Sequence, residues 1–254
     1  VPDLNRPFQE LILGLMEAVY PEVCAGCDGL PADLAWSPAG FRVPGLRFFD
    51  APHLCQSCVQ RLAVSGPAHR TLEVNPGMEL PVLGAAHISD HLTRVVGALK
   101  YRTLRGVAWP LAALLATHLA ASPLLEGGSQ PVLVPVPLHP RRERFRGFNQ
   151  AALLARLVAG QLGLQVAEGL ARRVKSTAQQ AQISDPDQRR RNLDGAFRSL
   201  VSAPDSGVSL ILVDDIITTG ATCGALARTL LADGWSVGGM VGVGVLEMGA
   251  VDAG

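Results

Sequence analysis

The chain of 254 residues carries 22 basic and 22 acidic side chains, for zero formal net charge, with 48% hydrophobic, 17% charged and 5% aromatic residues. This composition excludes a disordered chain and a protein coated in basic charge. The length suits one large domain, or a medium domain with a small appendage. The neutral average hides an asymmetry. Residues 1–58 hold Arg6, Arg42 and Arg47 against seven acids, whereas the stretches 141–146 and 172–191 are rich in arginine. Only Lys100 and Lys175 are lysines, so lysine-dependent chemistry has two candidates.

Leu11, Ile12, Leu15, Met16 and Val19 share one helical face, and Pro21 stops that helix. The N-terminus lacks the charged-then-apolar run of a secretory signal, and a cytoplasmic protein is expected. The segment 24–58 contains Pro31, Pro38, Pro44 and Pro52 and needs a staple to stay folded. Cys24-x-x-Cys27 and Cys55-x-x-Cys58 supply one: four thiolates suit a closed tetrahedral Zn²⁺ site, with no open position for catalysis. Redox Cys-x-x-Cys pairs and two disulfides are the alternatives. Residues 1–64 therefore read as a helix plus zinc module, 65–81 as a linker, and 82–248 as the main domain.

From residue 82 strands alternate with helices. A strand is expected over 82–87, a helix over 92–99 and another over 111–121. The uncharged run 106–125 is long enough for a membrane span, but Pro110, His118 and one-face leucines favour a core helix. A strand follows near 131–138, with its prolines suiting a strand end. Asn149 can cap a helix over 150–162. Residues 196–201 read as a strand, 208–213 as a strand buried on both faces, 222–232 as a helix ended by Gly234, and 237–246 as the last strand. This order implies a mostly parallel α/β sheet with flanking helices, which binds ligands at the carboxyl ends of its strands.

The stretch Leu210-Ile211-Leu212-Val213-Asp214-Asp215-Ile216-Ile217-Thr218-Thr219-Gly220-Ala221-Thr222 carries the chemistry. A buried strand delivers two carboxylates, then a small-residue turn opens a helix whose first N–H groups suit a phosphate dianion. Asp214 and Asp215 would repel that phosphate and suit a ribose diol or Mg²⁺ instead. Solvation of a loop and helix capping are the bland alternatives. No Gly-Lys-[Ser/Thr] is present, so a P-loop is excluded. Cys223 falls in the first turn of the helix, where the dipole could lower its pKa unless it is simply a small buried residue.

All thirteen positions 210–222 resemble the binding motif for 5-phosphoribosyl 1-diphosphate (PRPP) of type I phosphoribosyltransferases. With Leu99-Lys100-Tyr101, Pro135-Val136-Pro137-Leu138, Arg146-Gly147-Phe148-Asn149-Gln150 and the paired cysteines, the chain resembles the ComF/GntX competence-associated family from about Pro21 to Leu246. That resemblance implies a type I phosphoribosyltransferase-like sheet preceded by a small four-cysteine zinc module. It implies PRPP bound with Mg²⁺ by Asp214, Asp215, Ile216, Ile217, Thr218, Thr219, Gly220, Ala221 and Thr222, with Asp214 and Asp215 as the catalytic candidates. Val136, Pro137, Leu138, Arg141, Arg142 and Lys100 form the candidate pyrophosphate set; the arginines could equally be a solvated surface or bind nucleic-acid phosphate. Residues 172–191 correspond to a lid over PRPP, or to a surface loop. The family is linked to natural transformation, so single-stranded DNA and a competence helicase or other DNA-processing protein are expected partners. An active phosphoribosyltransferase with an unidentified nucleobase-like acceptor is the alternative; Tyr101 and Phe148 are its stacking candidates.

Overall fold

The computed structural model describes residues 23–29, 54–101, 104–126, 130–175, 193, 195–204 and 207–246. The expected helix near residues 8–19, most of the segment between the cysteine pairs and most of 172–191 lie outside the described residues.

Helix α1 (Gln56–Val64) leads into strands β1 (Ala68–Asn75) and β2 (Met78–His87), then helices α2 (Asp90–Tyr101) and α3 (Ala108–Ala120). Strand β3 (Val132–Pro135), helices α4 (Pro140–Arg146) and α5 (Gln150–Leu162), and short strands β4 (Gln165–Val166), β5 (Ala171–Arg173) and β6 (Phe197–Ser199) follow. Strand β7 (Ser209–Ile217), helix α6 (Ala221–Ala232) and strand β8 (Ser236–Val245) complete the order.

Six strands form one sheet in the order β1-β2-β8-β7-β3-β4, parallel except for the antiparallel β1–β2 pair, while β5 and β6 pair separately. The stretch 65–81, expected as a linker, is largely this hairpin: Arg70 sits opposite Val82 and Leu72 opposite Leu80. The reason lies in the local pattern. Ala68 and Val74 are buried at even spacing while His69, Thr71 and Glu73 face outward. Gly77, at φ 73°, closes the turn with its N–H donated to Glu73 Oε1 at 3.2 Å.

Alternation along the parallel strands divides the interior into two cores. Leu133, Ile211, Val213, Val241 and Val243 face α2, α3, α5 and the cysteine module; Val134, Leu210, Leu212 and Met240 face α6 and the β5–β6 ribbon. Leu111, Leu115 and Leu119 of α3 are fully buried in the first core, and no helix among the described residues is long and apolar enough to cross a membrane. Asn149 caps α5 as expected, its Oδ1 accepting from Ala151 N at 3.0 Å.

Candidate functional site

Strand β7 runs four residues past the expected end at Val213, so Asp214 and Asp215 lie within its ladder rather than beyond it. Neighbouring residues of a strand point to opposite faces. Asp215 turns toward α2 and pairs with Lys100 Nζ at 2.8 Å, both side chains being largely buried. Its Oδ1 also accepts from the Ile216 N–H at 2.7 Å. Asp214 faces the other core: its Oδ1 accepts from the Asp215 N–H at 2.8 Å, and its Oδ2 lies 3.8 Å from Cys223 Sγ. Burial, with the Asp215 charge beside it, pushes the Asp214 carboxyl up to about 7, against the pull of Lys100 and Arg173.

The turn after β7 encloses a hollow of about 50 Å³ lined by Asp214 and residues 216–223, a space on the scale of a phosphate group. Gly220 takes φ 75° to start α6, and Thr219 Oγ1 accepts from the Ala221 N–H at 3.3 Å. A Cβ on Gly220 would lie 2.8 Å from Leu72 Cδ2, so β1 packs directly against this turn. Cys223 is the small buried residue: burial, then the Asp214 charge, drives its thiol pKa well up, opposite to a dipole effect.

The candidate pyrophosphate residues fall on different elements. Lys100 is committed to Asp215. Val136 is buried, its N–H is donated to Val213 O at 2.8 Å, and its carbonyl accepts from Asn149 Nδ2 at 3.0 Å, so the sheet has taken up its polar groups. Arg141 and Arg142 belong to the first turn of α4, which starts at Pro140 with His139 Nδ1 accepting from Arg141 N at 3.2 Å. Pro137 and Leu138 line a separate cleft of about 460 Å³ with Arg105, Phe148, Arg172 and Arg173. Arg173 is the residue sequence reasoning missed here. It is buried, its guanidinium lies 5.6 Å from the Phe197 ring centroid, and its charge favours the ionised Asp214. Tyr101 is exposed, with the Arg146 guanidinium 5.3 Å from its ring centroid, and Phe148 is partly buried under Arg105 at 4.7 Å.

The four paired cysteines converge, with their sulfurs all within 4.8 Å of one another. Cys27 Sγ and Cys55 Sγ are 3.8 Å apart, the edge of a tetrahedron with metal–sulfur bonds of about 2.3 Å. Backbone N–H groups of Gly26 and Cys55 are donated to Cys24 Sγ at 3.4 and 3.3 Å. Burial alone would raise that thiol, but these bonds bring its pKa down to about 7. A four-thiol cluster of this size could hold a metal ion, and all four thiols are free of disulfides.

No family model matches the chain. Among curated proteins it is 35% identical over 186 residues to the DNA utilization protein YhgH of Salmonella typhimurium, covering 71% of this chain and 79% of that one. It is 38% identical over 99 residues to competence protein F of Haemophilus influenzae, covering 39% and 43% of the two chains. A crystal structure of adenine phosphoribosyltransferase overlays with a TM-score of 0.39 at 16% identity, over 75% of this chain and 90% of that one. On the extent and identity of the YhgH match, supported by the competence proteins, the chain belongs to the ComF/GntX competence-associated family.

Proposed function

We propose that the protein binds PRPP with Mg²⁺ in the turn after β7, and serves in the uptake and handling of single-stranded DNA, with a structural Zn²⁺ in its four-cysteine module. The observation that carries the reading is the phosphate-sized hollow at the start of α6 with the Asp214 carboxyl in its lining. Thr218, Thr219 and Thr222 supply hydroxyls and the helix start supplies N–H groups for the 5-phosphate. Asp214 repels phosphate and accepts from a ribose hydroxyl, while Asp215, on the opposite face of β7, is held by Lys100. Transfer to an acceptor is the second use of the same pocket, with the buried carboxylates steadying a cationic ribosyl centre.

Titration with PRPP and Mg²⁺, followed by calorimetry and melting temperature, tests the pocket. At 100 times its dissociation constant the ligand should add about 2.7 kcal/mol, which at roughly 2–4 °C per kcal/mol is a shift of several degrees. Asp214→Ala and Thr219→Ala should lose it. A folded, zinc-loaded wild type that shows no shift would overturn the reading. Pyrophosphate release with any nucleobase would add the transfer reaction.

The nucleic-acid side of the reading is supported by α4. Phe145 is 84% exposed and Tyr101 63% exposed, and Arg141 and Arg144 are exposed on the same short helix. Aromatic faces interleaved with arginines suit the stacked bases and phosphates of a single strand. Phe145→Ala should weaken single-stranded DNA binding by about 1–3 kcal/mol and leave the melting temperature unchanged. An unchanged DNA affinity would remove α4 from the interface.

A further inference from the structure

Arg70 belongs to the β1–β2 hairpin, far in sequence from the turn after β7. Its Nη2 nevertheless lies 3.1 Å from where a Cβ of Gly220 would be. Both Nε and Nη2 are shut off from solvent and lack a hydrogen-bond partner among the described residues. The other cations around the pocket are answered: Lys100 pairs with Asp215, and the charge of Arg173 is set against Asp214. The side chain closest in charge effect to Arg70 is Cys223, a buried thiol that stays neutral. A half-buried guanidinium beside a phosphate-sized hollow, two of its nitrogens enclosed and with no carboxylate of its own among the described residues, is an incomplete ion pair.

We infer that Arg70 is the counter-charge for a phosphate monoester dianion seated in the turn 218–222, supplied to the pocket from the edge hairpin. The inference rests on the reading of that turn as a phosphate site. It also answers a difficulty of that reading. The Asp214 carboxyl lines the hollow, and neutral N–H and hydroxyl donors alone leave the local field unfavourable to an anion. Arg70 backs Gly220 rather than lining the hollow. It therefore acts as a positioning residue, through its field and through its packing with Leu72 under the turn. The ligand it favours is a sugar phosphate, not an unphosphorylated sugar.

The test is calorimetric titration of the full chain with ribose 5-phosphate, PRPP·Mg²⁺ and ribose, for wild type, Arg70→Met and Arg70→Lys, together with the melting temperature of each ligand-free protein. Wild type should bind both phosphates and not ribose. Arg70→Met should bind ribose 5-phosphate at least tenfold more weakly, with Arg70→Lys in between. Ligand-free Arg70→Met should melt no lower than wild type, because the substitution removes a half-buried charge lacking a protein partner among the described residues. A merely structural arginine gives the opposite pattern, a lower melting temperature with unchanged affinity, and that result would overturn the inference. Phosphate binding to wild type with equal affinity in Arg70→Met and Arg70→Lys would overturn it while leaving the pocket in place. No phosphate binding to wild type would overturn the pocket and the inference together.

Discussion

Asp214→Asn should raise the melting temperature of the ligand-free protein at pH 8 while weakening PRPP binding. The native carboxyl titrates at about 7 against an ordinary 3.8, first because it is buried and second because Asp215 adjoins it. An acid whose folded pKa is raised contributes its full stability only below the unfolded value, and loses it progressively as the pH climbs through the folded one. Between pH 4 and pH 8 the ionising Asp214 therefore costs the wild type on the order of 4 kcal/mol. Asparagine cannot ionise, yet its Oδ1 can keep the bond from the Asp215 N–H that Asp214 accepts at 2.8 Å. The variant should melt several degrees above wild type at pH 8, and the gap should close as the pH falls toward 4. Melting curves across that range decide the matter: equal melting temperatures at pH 8 would mean that the carboxylate is not a destabilised group. The same substitution removes one acceptor for a ribose hydroxyl, so gain of stability and loss of ligand should appear in one protein. A residue kept at such a cost is better explained by binding than by packing.

The regular elements were legible in the sequence because their patterns are local. The continuous run Leu210–Val213 and the cap at Asn149 each declare an element within a few residues, and the structure places a strand and a helix there. The thiol pairs declared a metal-type cluster for the same reason. The β1–β2 hairpin was hidden because half of β1 is polar, as an edge strand can be, and its turn at Pro76-Gly77 resembles linker composition. The short helix α4 was hidden too; Pro140 at its first position, with His139 as cap, was the available signal. What could not be read was long-range partnership. Lys100 finds Asp215 from a different element, Val136 gives up its N–H to Val213, and Arg70 reaches Gly220 across the sheet. Such pairings depend on strand order and on which face a residue takes, and neither is encoded within a window of neighbours.

Removing the Zn²⁺ proposed for the cysteine module should reach the carboxylate pair from the opposite end of α2. The cysteine module is packed into the first core: Cys24, Leu54, Cys58 and Leu62 are buried with Leu92, Val95 and Leu99 of α2. Two polar contacts fix the same junction, His91 Nε2 to Cys58 O at 3.3 Å and Arg94 Nη1 to Asp28 Oδ2 at 2.9 Å. Space is tight there, since a Cβ on Gly26 would stand 2.7 Å from His91 Cε1 and 2.8 Å from Cys58 Sγ. Burial and the other cysteines hold the Cys58 thiol far above its usual pKa, so four thiols without a cation are a poor core, and one Zn²⁺ per chain is the expected complement. In small zinc modules metal binding contributes on the order of 10 kcal/mol of folding free energy. Chelation, or Cys58→Ser, should therefore release the module and expose the buried face of α2. Lys100, at the C-terminal end of that helix, would lose its fixed position on Asp215. The expected results are a zinc stoichiometry of one, a large fall in melting temperature on chelation, faster hydrogen exchange in α2, and weaker PRPP binding where the parallel domain stays folded. His91→Ala, which leaves the four thiols and their backbone in place and removes the contact to Cys58 O, separates metal loss from misdocking: it should retain zinc and still loosen α2. Unchanged exchange in α2 after the metal is gone would mean that the module and the pocket are energetically independent.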